Sequence, residues 1–369
     1  MRDVELEELL QGAFDAHARA AVGDHATPMP PRFADPAALD DVVQPRQSLA
    51  RRAGRWAAPF AAAAAVVGVV VGVVTVASSG TGHEHGAADR PPNRAASHLN
   101  QQPVVHVKLL NDDDATYGVG MPVVAYFSQR ITDGRALQRA TVATVRTAAP
   151  KASAATARAD GAWYFERSEA GNGPVEAHYR LKGFWPASSK IHISMPIKGL
   201  PAGGGLSFDN NLTIDFTTGA KHVATVSGDR HSLSLQVDDK HYGTYPVSLG
   251  ATKSATRPGV KVIMEKQQSV TRQSVEHPVL PFAQRLTYGG EYLCGAPWNT
   301  KDIVAGIDST SGSTNLRPAD AAALYKLLRI GDVVTFDKTS GPAMTMPAGY
   351  GDWNVPWTQW LTGGLVPTH

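Results

Sequence analysis

From Val105 onward the chain runs in apolar stretches too short and too strictly alternating for helices, and this pattern constrains the fold more than any other feature. Val105, Val107 and Leu109 alternate with polar residues, and Val123 to Phe127, Ala162 to Phe165, Ile191 to Met195 and Leu212 to Phe216 repeat the theme between Gly, Pro and Asp clusters. Side chains on a strand point to opposite faces in turn, so such runs predict strands with one buried face, here a β-sandwich over residues 103–219. A second series opens near Lys221. Ala224 to Val226, then Leu233, Leu235 and Val237, are broken by Asp238-Asp239-Lys240 and answered by Tyr242 to Leu249, a hairpin meander. The segment Gly331 to Phe336 supplies a closing strand. The exception lies behind Pro318, where Ala322, Leu324, Leu327 and Leu328 recur at helical spacing and predict a helix over Ala319 to Leu328.

A different pattern precedes the strands. Ala57 to Ser79 contains no charged residue over a length that spans the ~30 Å hydrocarbon core as a helix. Arg46, Arg51, Arg52 and Arg55 crowd its N-terminal flank, whereas His83, Glu84, His85 and Asp89 follow it. The positive-inside rule then predicts a single-pass cell-membrane anchor with residues 1–55 cytoplasmic and the rest extracytoplasmic. A cleaved signal peptide fits less well, because a signal's charged leader is far shorter than the residues preceding this run. Gly68 and Gly72 stand at small-xxx-small spacing, which would allow dimerisation, although a plain anchor is the preferred reading. In the cytoplasmic part, Val4, Leu6, Leu9, Leu10 and Phe14 suggest a short amphipathic helix from Asp3 to Ala21, followed by a proline-rich linker from Asp24 to Gln47. Residues 80–102 read as a flexible linker.

Composition narrows the function. The 369 residues carry a net charge of +2, which gives no electrostatic case for nucleic acid. One cysteine, Cys294, excludes an internal disulfide and a cysteine-pair zinc site. His83 and His85 sit in the linker and read as solvated. No metal and no cofactor is expected.

The stretch from Cys294 to Pro318 holds glycines and short polar residues where a packed element would hold apolar ones, and so suggests a substrate groove. Within it, LCGAPW at Leu293 and TSGSTN at Thr310 to Asn315 resemble the active-site signature of the peptidoglycan L,D-transpeptidases, which have a YkuD-type catalytic domain. That family writes the first segment with a histidine and the second as Ser/Thr-His-Gly-Cys. In the resemblance Cys294 stands at the first histidine, Ser311 at the second, and Ser313 at the nucleophilic cysteine. Thr310, Gly312, Asn315, Ala296, Pro297 and Trp298 keep the pattern. The likeness runs from Val104 to the C-terminus. YGVGMPVVAYFSQRITD at Tyr117, GAWYF at Gly161 and GFWPASSKIHI at Gly183 resemble the immunoglobulin-like domain that precedes the catalytic domain in actinobacterial members, and PVSLGA at Pro246 and TRPGVKVIMEK at Thr256 resemble the catalytic domain itself. GDWNVPWTQW at Gly351 is similar to the family's C-terminal extension.

The resemblance implies a mainly β chain: a transmembrane helix at 56–79, an immunoglobulin-like sandwich at 103–219, and a YkuD-like domain with one or two short helices at 220–338. A tryptophan-rich extension at 339–369 would follow, packing on the domain junction. Trp353, Trp357 and Trp360 are expected to pack rather than bind sugar, and Trp163, Tyr164, Phe184 and Trp185 to fill the sandwich. The sandwich would act as a spacer above the bilayer.

The family's chemistry is acyl transfer between peptidoglycan stem peptides through a thioester. A thiol beside a histidine yields a usable thiolate, whereas a serine hydroxyl needs a placed base throughout attack. Ser313 lacks the family's histidines, a cysteine at 294 cannot shuttle protons near neutral pH as an imidazole does, and Ser311 only exchanges hydrogen bonds. Three substitutions at three reactive positions imply a catalytically degenerate member. It would bind stem peptides, or other cell-wall enzymes, in a groove lined by Met264, Tyr288, Tyr292 and Trp298, with Gly312 and the amides around Ser313 in the oxyanion position. Two alternatives stay open. An active transpeptidase forming 3-3 cross-links would use Ser313 or Cys294 with Asp302, Asp308 or Lys301 as base, and a transmembrane wall sensor would signal through the cytoplasmic helix.

Overall fold

The computed structural model describes residues 103–147, 156–169, 171–272 and 279–369. The expected cytoplasmic helix, the apolar run at 57–79 and the linker at 80–102 lie outside the described residues. Among the described residues no helix is long and apolar enough to cross a membrane.

The alternating runs form a sandwich of two larger sheets. One has five strands in the order Ala115–Tyr117, Leu212–Thr218, Ser189–Met195, Val142–Thr147 and Thr156–Ala159. The other has four, in the order Val107–Leu109, Val123–Phe127, Val175–Leu181 and Gly161–Glu166. Ser189–Met195 alternates between buried and more open positions, as a sheet with one wet face requires. Val123–Phe127 is buried at every residue, and Val175–Leu181 buries Glu176, His178 and Arg180 as well as its apolar residues. Both faces of the four-stranded sheet are therefore covered. Between the sheets lie Phe127, Trp163, Phe165, Tyr179, Trp185, Ile191 and Phe216.

The second half contains a five-stranded sheet in the order Lys240–Pro246, Ser232–Val237, His222–Ser227, Val333–Asp337 and Gly259–Val262. Its closing strand, Val333–Asp337, pairs parallel to His222–Ser227 and antiparallel to Gly259–Val262, joining the first and last parts of this half in the middle of the sheet. A four-stranded sheet, Glu265–Thr271, Val279–Arg285, Tyr292–Gly295 and Thr314–Leu316, completes it. The helix read at 319–328 forms at Pro318–Leu327, and its buried Ala321 and Leu324 meet Leu293 and Leu316 in the core. Two further helices, Arg135–Ala140 and Thr300–Ala305, were not evident in the sequence. Each has six residues, too few for a 3.6-residue period to show.

The two halves meet at a backbone seam. Gly118 N donates to Ile330 O at 2.8 Å and Gly120 N to Gly331 O at 2.9 Å. A Cβ on Gly118 would fall 2.2 Å from the backbone nitrogen of Asp332, so only glycine permits this approach. Gly331 sits at φ +93°, a left-handed conformation that favours glycine. Behind the seam, buried His222 Nδ1 and Asp332 Oδ2 lie 2.7 Å apart.

The chain's last segment covers the outer face of the four-stranded sheet. Trp360 is fully buried, donates from Nε1 to Ala162 O at 2.8 Å and stacks on Tyr164 at 4.9 Å. Trp353 donates to Gly120 O at 3.0 Å and meets Phe184 edge-on. The Arg180 guanidinium lies 4.7, 5.3 and 4.1 Å from the ring centres of Trp353, Trp357 and Trp360. Burial lowers Arg180 to about 10, partly offset by Asp352, so it remains a cation in an aromatic cage near neutral pH. The indoles are thus committed to the sandwich. Trp360→Ala is expected to cost about 3–5 kcal/mol of stability in denaturant unfolding, because it opens a cavity and strips one wall from this cage.

Candidate functional site

Parallel pairing of Tyr292–Gly295 with Thr314–Leu316 brings the two motifs together. Leu293 faces Thr314, Cys294 faces Asn315 and Gly295 faces Leu316. In this alternation Tyr292 and Cys294 share one face of the strand, while Leu293 turns to the core beside Leu316. The loop between Thr310 and Ser313 is held from several sides. Thr310 Oγ1 donates to Ser313 O at 2.6 Å, and Thr310 N to Leu249 O at 2.9 Å. Gly250 N donates to Thr256 Oγ1, whose hydroxyl in turn donates to Gly312 O, both at 2.9 Å. Gly312 turns the chain at φ +96°.

Ser313 is buried, and its Oγ accepts from the Tyr292 backbone N–H at 3.1 Å. Cys294 is fully buried and its thiol lies 3.6 Å from Asn315 Oδ1. Burial pushes the Cys294 thiol up to about 12, with Arg272 pulling modestly the other way. Ser311 is exposed on the loop. Among the described residues, no imidazole, carboxylate or amine lies within hydrogen-bond distance of Ser313 Oγ or Cys294 Sγ. The acids and the lysine considered as replacement bases lie elsewhere. Asp308 accepts from Leu249 N and approaches His231 Nε2, each at 3.1 Å, and Lys301 and Asp302 belong to the Thr300–Ala305 helix.

Of the residues expected to line a groove, only Trp298 reaches the surface, at 36% exposure. Met264 and Tyr288 instead join the sandwich-side core with Tyr350, because they fall where the second half packs against the first. Tyr292 is buried with Leu280, Ala283 and Cys294, and the Arg285 guanidinium lies 4.8 Å from its ring centre. Of these three, Tyr292 alone packs beside the motif, against Cys294.

The sequence reading missed one pair. Lys261, fully buried, forms an ion pair with Glu291, and the opposite carboxylate oxygen accepts from Arg257 N at 3.0 Å. Glu291 Cγ lies 3.5 Å from where a Cβ on Gly312 would be, so this carboxylate is packed directly under the motif loop. Burial lowers Lys261 to about 8, with Glu291 opposing the shift. A lysine flanked by valines in GVKV, on an otherwise apolar strand, is the available sequence signal. The pair fixes the backbone at Arg257, next to the Thr256 that bonds the motif loop. Neither of its members hydrogen-bonds Ser313.

Residues 221–336 match the L,D-transpeptidase catalytic domain (YkuD), and residues 79–201 match a bacterial Ig domain. The chain is 25% identical over 263 residues to L,D-transpeptidase 2 of Mycobacterium tuberculosis (strain CDC 1551 / Oshkosh), covering 68% of this chain and 60% of that protein. It is 25% identical over 262 residues to L,D-transpeptidase 5 of Mycobacterium tuberculosis (strain ATCC 25618 / H37Rv), covering 69% of this chain and 55% of that one. A solved L,D-transpeptidase from Mycobacterium smegmatis aligns at 25% identity and a TM-score of 0.47, over 63% of this chain and 99% of that one. The chain thus carries a YkuD domain preceded by a bacterial Ig-like domain and is homologous to mycobacterial L,D-transpeptidases, while spanning 55–60% of the length of these two curated relatives.

The buried thiol has a direct consequence. With its pKa near 12, only about one Cys294 in 10⁵ is thiolate at pH 7. Ellman's reagent is expected to leave the native protein unlabelled over hours and to titrate one thiol at once in guanidinium chloride.

Proposed function

We propose that this protein is an extracytoplasmic, membrane-anchored member of the L,D-transpeptidase family that binds peptidoglycan stem peptides, or wall enzymes that act on them, without transferring acyl groups. The observation that carries this reading is the absence, among the described residues, of any base beside Ser313 Oγ or Cys294 Sγ. A serine hydroxyl that only accepts a backbone N–H has no route for its proton during attack, and a fully buried neutral thiol has neither charge nor access. The loop that carries Ser313 is nonetheless clamped through Thr256 and Thr310. A clamped loop retains value for recognition, where fixed backbone donors bind a peptide without reacting with it. In this reading the Ig-like domain and the anchor at 56–79 hold the YkuD domain at a set height above the membrane.

Intact-protein mass spectrometry after incubation with a carbapenem tests the reading. No covalent adduct is expected at any serine or at Cys294, while isothermal titration should detect binding to stem peptides or sacculi. A stoichiometric mass increase, or no affinity for either ligand, would contradict it. The variant carrying Cys294→His, Ser311→His and Ser313→Cys together is expected to gain the adduct, since the scaffold around these positions is kept.

A further inference from the structure

The outer face of the four-stranded sheet holds a second polar cluster, remote in sequence from the motif loop. Glu166 and Glu176 stand directly opposite each other across the Gly161–Glu166 and Val175–Leu181 strands, and His178 follows two residues on, so all three project from one face. All three are buried, Glu176 and His178 completely. His178 Nε2 lies 3.5 Å from Glu176 Oε1 and 4.0 Å from Glu166 Oε1, and one ligand atom from each residue falls within 4.8 Å of the others.

Like charges placed directly across a sheet repel, and in a buried site the repulsion is screened little. Among the described residues the nearby cation is His178 itself, whose imidazole, although burial opposes it, is pushed well above its usual value by Asp352 and the two glutamates; a metal ion would take the place of that proton. Arg180, on the same strand, donates to Leu181 O and Val355 O and faces the tryptophan cage. Glu166 Oε1 and Oε2, Glu176 Oε1 and His178 Nε2 have no hydrogen-bond partner among the described residues. The remaining atoms of the cluster are engaged. Ser168 Oγ donates to Glu176 Oε2 at 2.7 Å, and His178 Nδ1 meets Asp352 Oδ1 at 2.9 Å. That last contact sets the imidazole as a metal-binding histidine is set, with a carboxylate on one ring nitrogen and the other directed at the open corner.

We propose that Glu166, Glu176 and His178 bind one divalent transition-metal ion, zinc by preference, between the sandwich and the C-terminal segment, with Asp352 orienting the histidine. One nitrogen and two carboxylates suit zinc, whose ligand atoms at about 2.0–2.2 Å from the ion stand roughly 3.3–3.6 Å apart in a tetrahedron. Small side-chain movements from the observed 3.5 and 4.0 Å separations reach that geometry. Calcium and magnesium, which prefer six or more oxygen ligands, fit poorly. Two glutamates and a divalent ion cancel in charge. Without such an ion, burial pushes Glu166 up to about 9, with Glu176 and Asp352 adding to the shift and His178 opposing it. Three protein ligands leave the fourth position of the ion to a water, and through His178 and Asp352 the ion would tie the sandwich hairpin to the tail that covers it.

The test uses the full-length chain, dialysed against chelator, re-equilibrated with zinc and passed through gel filtration before elemental analysis. About one equivalent of zinc is expected to stay bound, together with a rise of several degrees in the melting temperature and, with cobalt substituted, visible d–d absorption. Glu166→Gln and Glu176→Gln preserve side-chain shape and are expected to lose that equivalent and the thermal shift while melting like the metal-free parent. Asp209→Asn and Asp215→Asn, which alter the exposed pairs with His106 and His192, should leave both unchanged. A parent that retains no zinc or cobalt, or glutamine variants that retain as much as the parent, would overturn the proposal and leave the carboxylates sharing protons.

Discussion

The pairing of Tyr292–Gly295 with Thr314–Leu316 is the interaction on which the site depends. It brings residues about twenty positions apart into register, sets Cys294 against Asn315, and lets the Tyr292 amide reach the Ser313 hydroxyl. A one-residue slip would send Cys294 to the opposite face and break that contact. Around this pair, Thr256 and Thr310 hold the connecting loop by hydrogen bonds, and Glu291 packs beside Gly312. The cost of burying Lys261 with Glu291 points the same way. A buried ion pair adds little net stability over apolar residues, but removal of either member leaves an uncompensated charge inside, so the pair makes alternative loop positions expensive.

The two halves of the described chain also depend on each other. The glycine seam at Gly118 and Gly331 allows backbone contact that no side chain would permit, and the tail from Gly351 onward holds both halves, Trp353 and Trp360 bonding to the sandwich and Asn354 to Val260. Met264, Tyr288 and Tyr350 complete this junction as parts of the sandwich-side core.

Much of this was legible in the sequence, for identifiable reasons. Val123–Phe127 and Leu212–Thr218 announce themselves by alternation or by continuous β-branched and aromatic content, and Pro318 marks its helix. The order of strands in the sheets was not legible. The place of Val333–Asp337 in mid-sheet depends on contacts with Val223 and Val260, over seventy residues away. At the site, the motif positions could be assigned one by one, but the burial of Met264 and Tyr288 could not, because an aromatic residue on a strand reads alike whether it faces a groove or a domain junction. Lys261 with Glu291, and Glu166 with Glu176 and His178, stayed hidden for the same reason. Lys261 and Glu291 come from segments of different sheets, and Glu166 joins Glu176 and His178 only through strand register, so neither set shows in the sequence as a compact motif.

The proposal that the motif region binds without reacting rests on Ser313 and Cys294 having, among the described residues, no neighbouring group able to generate an attacking anion. It is tested most directly by incubating the purified protein with tetrapeptide muropeptides and analysing the products by liquid chromatography and mass spectrometry. The account predicts that the monomers are recovered unchanged; the appearance of 3-3 cross-linked dimers that depend on Ser313 or Cys294 would contradict it.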